Sequence, residues 1–269
     1  MNETLTRLLS GIVYIILLFY ATLTSPVTFF IFFSFVLFVC VYEFKKLIHL
    51  KSVVVYPITA LLMGFHIFFI YKNVHDFDWA FISLSLFVSI LLMMNLKSNK
   101  TLYLDRNFKF VLLIGYVIFP FLILTALPFT QGFYDYKIIF VLFVLIWTND
   151  TFAYVVGKSI GKRKLFPSVS PKKTVEGFFG GFVFTILASI IMNNIMQLYS
   201  TVFLILMSVI VSVFGTIGDL VESKFKRTAQ VKDSGKIMPG HGGILDRFDS
   251  VIFVAPFILL LLKIITYVS

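Results

Sequence analysis

Nine long apolar runs divide this sequence, and they constrain its fold more than any other feature. They cover roughly residues 8–25, 27–42, 53–71, 79–96, 110–128, 138–157, 177–195, 198–219 and 251–268. A helix needs about 20 mostly apolar residues to cross the hydrocarbon core of a bilayer. Because lipid offers no partner for bare backbone groups, runs of this length cross a membrane as helices. The pattern predicts an all-α, polytopic integral membrane protein with about nine transmembrane helices.

The composition excludes an ordinary soluble domain. The chain is 59% hydrophobic and 13% charged, and 34 of its 269 residues are Phe, whereas soluble domains carry about 25% charged residues. The one cysteine, Cys40, lies inside an apolar run, so an internal disulfide is excluded and there is no zinc-binding pattern. Lipid is therefore the expected solvent for most of the chain.

The distribution of basic residues predicts an orientation. Of the 23 Lys and Arg residues, all but Lys72, Lys137 and Lys263 fall in five segments that share one side of the membrane if nine helices cross it. These segments are 1–7, 43–52, 97–109, 158–176 and 220–250. Because Lys and Arg accumulate in cytoplasmic loops, we expect a multi-pass protein of the inner (plasma) membrane with a cytoplasmic N-terminus and an external C-terminus. This topology accounts for the net charge of +10 without a nucleic-acid partner.

The chain divides into two stretches of different character. Residues 1–140 hold about five spans and few chemical groups, which indicates a lipid-facing or dimerisation role. Residues 141–269 hold about four spans and the two most basic loops. We expect the second stretch to be the catalytic half, with its site facing the cytoplasm.

Four acids lie in or beside predicted spans: Asp150, Glu176, Asp219 and Glu222. A charged group within a membrane is costly and usually faces a polar cavity, so it marks a functional site. Glu176 is the exception, because an acid at a helix N-terminus is favourable in any case.

The segment "GTIGDLVESKFKR" gathers several of these groups on one helical face. Asp219, Glu222, Ser223 and Lys226 follow each other at helical spacing. Carboxylates with a neighbouring hydroxyl and ammonium suit Mg²⁺ with bound phosphate.

A second polar segment, "KDSGKIMPGHGGILDRFDS", precedes the last apolar run. Its glycines allow backbone amides to turn inward around an anion, and His241 can donate a hydrogen bond to phosphate. Asp246 and Asp249 form a second carboxylate pair. The remaining candidates for phosphate contact are Lys232, Lys236, Gly240, Gly242, Gly243 and Arg247. Two acid pairs among basic groups predict metal-assisted phosphoryl or nucleotidyl transfer.

A third segment, residues 149–181, adds polar groups before the seventh run. Asp150, Tyr154 and Lys158 share a helical face. Pro167 and Pro171 predict a loop over residues 162–173. Lys172, Lys173 and Thr174 are candidates for contact with phosphates, although no Walker A motif occurs.

Residues 223–249 resemble the signature of the phosphatidate cytidylyltransferases, also called CDP-diacylglycerol synthases. The matching positions are Ser223, Lys226, Arg227, Lys232, Asp233, Pro239, His241, Gly242, Gly243, Asp246, Arg247 and Asp249. A second block of that family is similar at Asp150, Ala153, Tyr154, Gly157, Gly161, Ser170, Pro171, Lys173, Glu176 and Gly177. The first 140 residues share only the family's hydrophobic layout.

The resemblance implies transfer of CMP from CTP to phosphatidic acid, giving CDP-diacylglycerol and pyrophosphate in phospholipid biosynthesis. It also implies a homodimer in the lipid bilayer that depends on Mg²⁺, with K⁺ as a second ion in some members. On this basis the catalytic residues are Asp219, Asp246, Lys226 and Arg247, and the metal ligands are Asp219, Asp246 and Asp249. The expected substrate contacts are Ser223, Arg227, Lys232, Lys236, His241, Gly242, Gly243, Asp150, Tyr154 and Lys173.

Two alternatives stay open at this point. A CTP-dependent polyprenol or phytol kinase has a similar topology but uses an alcohol acceptor. An ion-coupled transporter also carries intramembrane acids, although transporters place them near the midplane, and here they lie at one interface.

Overall fold

The computed structural model describes residues 3–73, 78–98, 105–196 and 199–268. Its nine helical elements in these ranges are α1 (Glu3–Thr24), α2 (Pro26–Leu47), α3 (Val55–Tyr71), α4 (Asp78–Leu96), α5 (Arg106–Phe129), α6 (Lys137–Ile160), α7 (Val175–Met196), α8 (Thr201–Thr228) and α9 (Leu245–Val268). Eight of them are long and apolar enough to span a membrane, and α3 is shorter, with 17 residues. The predicted all-α polytopic membrane fold is confirmed; the number of helices that cross the bilayer stays a prediction.

The helix bounds differ from the apolar runs where polar residues continue a helix. The eighth run was expected to end near residue 219, but α8 continues to Thr228 because Glu222, Ser223 and Lys226 remain in helical register. Two helices contain π-helical turns, at Leu113–Ile118 in α5 and at Val211–Gly215 in α8. Such turns often occur at functional sites.

The turn between α1 and α2 is one residue long. The Ser25 hydroxyl accepts a hydrogen bond from the Thr28 amide, and the Thr28 hydroxyl accepts one from the Ser25 amide. Pro26 follows at the first helical position, where it needs no amide hydrogen. The Ser-Pro pair thus lets two spans lie side by side.

A small β-hairpin replaces the loop expected over residues 162–173. Strand β1 (Lys164–Phe166) pairs antiparallel with strand β2 (Ser170–Thr174). Pro167 lies in the connecting turn, and Pro171 lies in a strand that has only one neighbour. Proline is tolerated at such an edge, so the two prolines prevent a helix here without preventing strand pairing.

The last helix, α9, lies in the centre of the bundle. Phe248 on α9 is fully buried and makes ring contacts with Tyr14, Phe33, Phe121 and Phe143 from four other helices. The N-terminal and C-terminal stretches therefore share one core. The packing of α9 therefore fixes the position of Asp246 in its first turn and of Asp249 one turn later.

Contacts between helix ends place the basic segments together at one end of the bundle. Ser10 near the start of α1 touches the segment before α9. Lys224 at the end of α8 donates to the carbonyl of Asn95 in the last turn of α4 and to that of Ser98 just after it. Lys109 at the start of α5 donates to the His49 carbonyl after α2. Residues 99–104 of one basic segment lie outside the described residues. The grouping agrees with the expected topology, while the side that faces the cytoplasm stays a prediction.

Candidate active site

A cavity of about 710 Å³ opens between α6, α7, α8, α9 and the β1–β2 hairpin. This volume is within the usual range of small-molecule sites. Its charged lining residues are Asp150, Lys158, Lys164, Lys172, Lys173, Asp219, Lys226, Asp233, Asp246, Arg247 and Asp249. The other lining residues are Asn149, Ala153, Tyr154, Gly157, Leu165, Thr174, Gly177, Phe178, Thr216 and Ser250. The cavity thus combines residues that are up to 101 positions apart in sequence, from Asn149 to Ser250.

Helix register explains which side chains face the cavity. Asp150, Tyr154 and Gly157 lie on one face of α6, and Thr216 and Asp219 lie one turn apart on α8. Close packing of α6 on α7 depends on glycine, because a Cβ atom at Gly177 would lie 2.6 Å from the Ala153 carbonyl oxygen.

Asp219 forms an ion pair across the cavity with Lys173 of β2. The Lys173 Nζ lies 2.6 Å from Asp219 Oδ2, and both side chains are partly exposed. Burial alone would lower the pKa of Lys173, but the Asp219 carboxylate and the nearby Asp150 raise it above its ordinary value. The hairpin is therefore attached to α8 by an ion pair that favours the protonated lysine. The Ser223 hydroxyl donates to Asp219 Oδ1 over 3.1 Å, so both oxygens of this carboxylate have partners.

Lys226 joins two carboxylates. Its Nζ lies 2.6 Å from Glu222 Oε2 and 2.6 Å from Asp246 Oδ1. The Glu222 side chain is fully buried, and its Oε1 has no hydrogen-bond partner among the described residues. Lys226 is the only described partner of the Glu222 carboxylate, whereas Asp246 has others.

Asp246 is held by three further donors. Its Oδ2 accepts from the Ser234 amide at 2.9 Å, the Ser234 hydroxyl at 2.9 Å and the Gly243 amide at 2.8 Å. Gly242 has a φ of +87°, and a Cβ atom there would lie 2.8 Å from Asp246 Oδ2. The glycine-rich loop thus surrounds a carboxylate of this chain.

Asp249 lies one turn further into α9, at the buried side of the cavity. Its Oδ1 accepts from the Ser250 amide over 2.6 Å, and it is 8% exposed. The Ser250 hydroxyl donates to the Gly215 carbonyl at the end of the π-helical turn in α8. This bond joins α9 to α8 beside Thr216 and Asp219.

The mouth of the cavity is basic. Lys158, Lys164 and Lys172 line it with exposed side chains, as does Arg247. The Arg247 guanidinium donates to the His241 carbonyl over 2.9 Å, and it stays accessible from the cavity. Cations at the entrance and carboxylates deeper inside suit an anionic ligand that brings a metal ion with it.

Seven predicted substrate contacts do not line the cavity. Ser223 lies behind Asp219, and Arg227 is exposed near the Val169 carbonyl. The other five are Lys232, Lys236, His241, Gly242 and Gly243. Gly242 and Gly243 contact Asp246, and Lys232 and Lys236 are exposed.

His241 packs against the first helix. Its Nδ1 lies 2.7 Å from the Ser10 hydroxyl, and the same hydroxyl is 2.9 Å from the Pro239 carbonyl oxygen. Burial and the positive charges of Arg247 and Arg7 hold the pKa of His241 below its usual range. A neutral imidazole is therefore favoured at this contact between α1 and the loop.

Two acids outside the cavity have different roles. Glu176 accepts hydrogen bonds from the Lys162 and Arg163 amides, which agrees with the expectation that it serves structure rather than catalysis. Glu43 had not been singled out in the sequence. It is 1% exposed on α2 and accepts from the Leu245 amide and the Ser234 hydroxyl. The only sequence signal was an acid at the end of an apolar run.

The carboxylates suit a hard divalent cation only in part. Within the described portion of the chain, no three His, Cys, Asp or Glu side chains converge closely enough to form a metal site alone. Mg²⁺ usually takes one or two carboxylates and completes its coordination with phosphates and water. One or two of Asp219, Asp246 and Asp249 would therefore serve an ion that arrives with a phosphate ligand, and the three do not form a preformed protein site.

Comparison with known proteins adds a family to this geometry. The sequence model of the cytidylyltransferase family matches residues 5–265. A phosphatidate cytidylyltransferase of Bacillus subtilis is 55% identical over 130 residues, which is 48% of each chain. Proteins of the same name from Staphylococcus epidermidis and Staphylococcus aureus are 52% and 50% identical over 121 residues, covering 45% of this chain and 46% of theirs. The chain thus aligns with about half the length of the curated relatives it matches.

Proposed function

The chain belongs to the cytidylyltransferase family, and on that premise we propose that it transfers CMP from CTP to phosphatidic acid. The products are CDP-diacylglycerol and pyrophosphate. The relatives named phosphatidate cytidylyltransferase support this choice of acceptor.

The observation that carries the proposal is the arrangement of charge in the cavity. Four aspartates from α6, α8 and α9 lie inside it, and lysines from α6 and the hairpin surround its mouth. Two anionic substrates repel each other in water, so an enzyme that joins them must neutralise their phosphates. The lysines offer this neutralisation at the entrance, where CTP arrives from water.

The reaction is a displacement at phosphorus. An oxygen of the lipid phosphate forms a bond to the α-phosphorus of CTP, and the bond from that phosphorus to the oxygen bridging to the β-phosphate breaks. Pyrophosphate leaves with the bonding electron pair. Because phosphate is already ionised at neutral pH, the nucleophile needs no strong base, and His241 is not required for this step.

Each charged residue then has a specific task. Lys173 and Lys226 stay protonated beside the acids and hold phosphate oxygens, and Arg247 grips two oxygens with its planar guanidinium. Asp219, Asp246 and Asp249 would hold Mg²⁺ as it arrives with CTP. When bound, Mg²⁺ would neutralise phosphate charge and orient the leaving group.

The apolar lining suits the lipid substrate. Tyr154 on α6 and Phe178 on α7 line the cavity, and 66% of the Tyr154 side chain is exposed. The neighbouring Phe179 is exposed on the outer, apolar surface of α7. We place the diacyl chains along this side, so that the lipid phosphate reaches the cavity from the bilayer.

The proposal includes a cytoplasmic site and a homodimer. A C-terminal reporter that is active only outside the cytoplasm should give signal, and a cytoplasmic reporter at the same position should not. Crosslinking in native membranes should give a species of twice the chain mass. A C-terminus in the cytoplasm would reject the orientation, and monomers alone would reject the dimer.

Position-specific labelling of CTP tests the reaction itself. The purified protein in mixed micelles with phosphatidic acid should transfer label from the α-phosphate of CTP to lipid, and none from the γ-phosphate. Transfer from the γ-phosphate to a polyprenol or phytol would support the kinase alternative instead. Absence of transfer to any lipid would reject both enzymes and favour the transporter.

A further inference from the structure

Glu43 connects the N-terminal stretch of the chain to the acids of the cavity. Its carboxylate lies on α2, is almost completely buried, and reaches the start of α9. Its Oε2 accepts a hydrogen bond from the Leu245 amide over 2.8 Å. Leu245 is the first residue of α9 and directly precedes Asp246. The first amides of a helix have no partner within the helix, so Glu43 supplies one from another span.

Ser234 forms the second link between Glu43 and Asp246. Its hydroxyl lies 3.3 Å from Glu43 Oε2 and 2.9 Å from Asp246 Oδ2, so the two carboxylates share one hydroxyl group. The Ser234 amide also donates to Asp246 Oδ2. Movement of Glu43 would therefore release both the first turn of α9 and the residue that orients the Asp246 carboxylate.

Two glycines leave space for this carboxylate. A Cβ atom at Gly243 would lie 2.6 Å from Glu43 Oε2, and one at Gly235 would collide with Glu43 Oε1. Gly243 does not have a positive φ. Its lack of a side chain is thus explained by the close approach of Ser234 and Glu43, and not by backbone conformation.

We propose that Glu43 is a positioning residue for Asp246, acting through Ser234 and the Leu245 amide; the catalytic consequence rests on the proposed cytidylyl transfer. Glu43 is not among the residues that line the cavity. It fixes the direction of a carboxylate that does line the cavity.

Three variants separate the effect of the Glu43 charge from the effect of the hydrogen bonds that Glu43 and Ser234 make. Glu43→Gln keeps an oxygen that can accept from Leu245 and Ser234. Its kcat should therefore stay within about threefold of the wild-type value, which is less than the effect of losing one average hydrogen bond. Glu43→Ala removes both bonds and should lower kcat about 10- to 100-fold, as loss of partners that orient metal-binding groups does. Ser234→Ala removes only the shared hydroxyl and should lower kcat about 3- to 10-fold. KM for CTP should change little in all three, because the lysines at the mouth are untouched.

Asp78→Asn is the matched control. Asp78 is also a buried acid, with its Oδ2 2.7 Å from Lys263 Nζ. Lys263 lies 17 residues after Asp246 on α9, which is about 25 Å along a helix. Replacement of Asp78 by Asn therefore removes a buried carboxylate far from the cavity, and kcat should remain near the wild-type value.

Amide hydrogen exchange of the segment 233–245 tests the positioning without any reaction. Glu43→Ala should speed exchange of peptides from this segment, whereas Glu43→Gln and Asp78→Asn should not. If Glu43→Ala does not fold, Ser234→Ala should show a smaller acceleration of the same peptides. Wild-type exchange in both, or equal loss of kcat in Glu43→Gln and Glu43→Ala, would overturn the inference. If the wild type transfers no CMP to phosphatidic acid, the proposed function fails while the exchange result still decides the role of Glu43.

Discussion

Replacement of Lys226 by Met tests how the buried charges beside the cavity are balanced. Lys226→Met keeps the apolar stem and removes the ammonium group from between Glu222 and Asp246. Glu222 then remains fully buried with no described partner for either oxygen. Asp246 keeps three donors, two from Ser234 and one from Gly243. The structure therefore attributes most of the destabilisation to Glu222.

The expected loss of stability is about 3–5 kcal/mol, because one partner of a buried ion pair is left unpaired. In a chain of this size such a loss lowers the unfolding midpoint on the order of 10 °C. The double variant Lys226→Met/Glu222→Gln should recover most of the loss, since the unpaired charge is gone. The matched double variant Lys226→Met/Asp246→Asn should recover little.

Thermal unfolding of the purified variants in one detergent, at equal protein concentration, measures these midpoints. The reasoning requires a clear difference between the two double variants. Equal recovery of the unfolding midpoint by Glu222→Gln and Asp246→Asn would show that both acids contribute equally to the destabilisation. A single Lys226→Met variant as stable as the wild type would show that the bridge contributes nothing.

Three further predictions concern the cavity itself. Asp219→Asn and Asp246→Asn should each lower turnover at least about 10²-fold in protein that still inserts and folds; near-normal turnover with Mg²⁺ would remove the residue from the reaction. Arg247→Lys should lower the rate about 10²–10³-fold, because the point charge of lysine does not replace the planar fork of arginine. Lys45 lies outside the cavity beside Tyr56, so Lys45→Gln should lower the rate little, and similar mild losses in both variants would reject a phosphate contact at Arg247. Because the pKa of Lys173 is raised above its ordinary value, its charge should stabilise the fold from neutral pH up to about 10 and lose this effect as pH rises through the raised value; a stability difference between wild type and Lys173→Met that disappears near neutral pH would contradict this sign.

The helices were predictable because they follow from local physics. Runs of about 20 apolar residues must form helices in lipid, whatever they pack against. The same is true of the face formed by Asp219, Ser223 and Lys226, since helical spacing alone brings them together. The hairpin was missed because prolines exclude a helix but do not distinguish a loop from an edge strand.

The contacts that hold the loop and the first turn of α9 in place were not predictable, because they join distant parts of the chain. Glu43 meets Leu245 across 202 positions, and Ser10 meets His241 across 231. Nothing near either residue in sequence indicates such a partner. The sequence predicts a phosphate nest from the glycines of the loop, whereas Gly243 lies against Ser234 and Glu43 and donates its amide to Asp246.

The most direct test of the central claim is whether CTP occupies this cavity. The one native cysteine, Cys40, is fully buried, so an introduced thiol can be followed alone. Lys158→Cys puts a thiol at the basic mouth of the cavity, and Ser159→Cys puts one beside it on the same helix but outside the lining; both native residues are exposed. CTP with Mg²⁺ should slow alkylation of the Lys158→Cys variant by a water-soluble reagent and leave the Ser159→Cys variant unchanged, and ATP should protect neither. Equal rates with and without CTP at both positions would contradict the account.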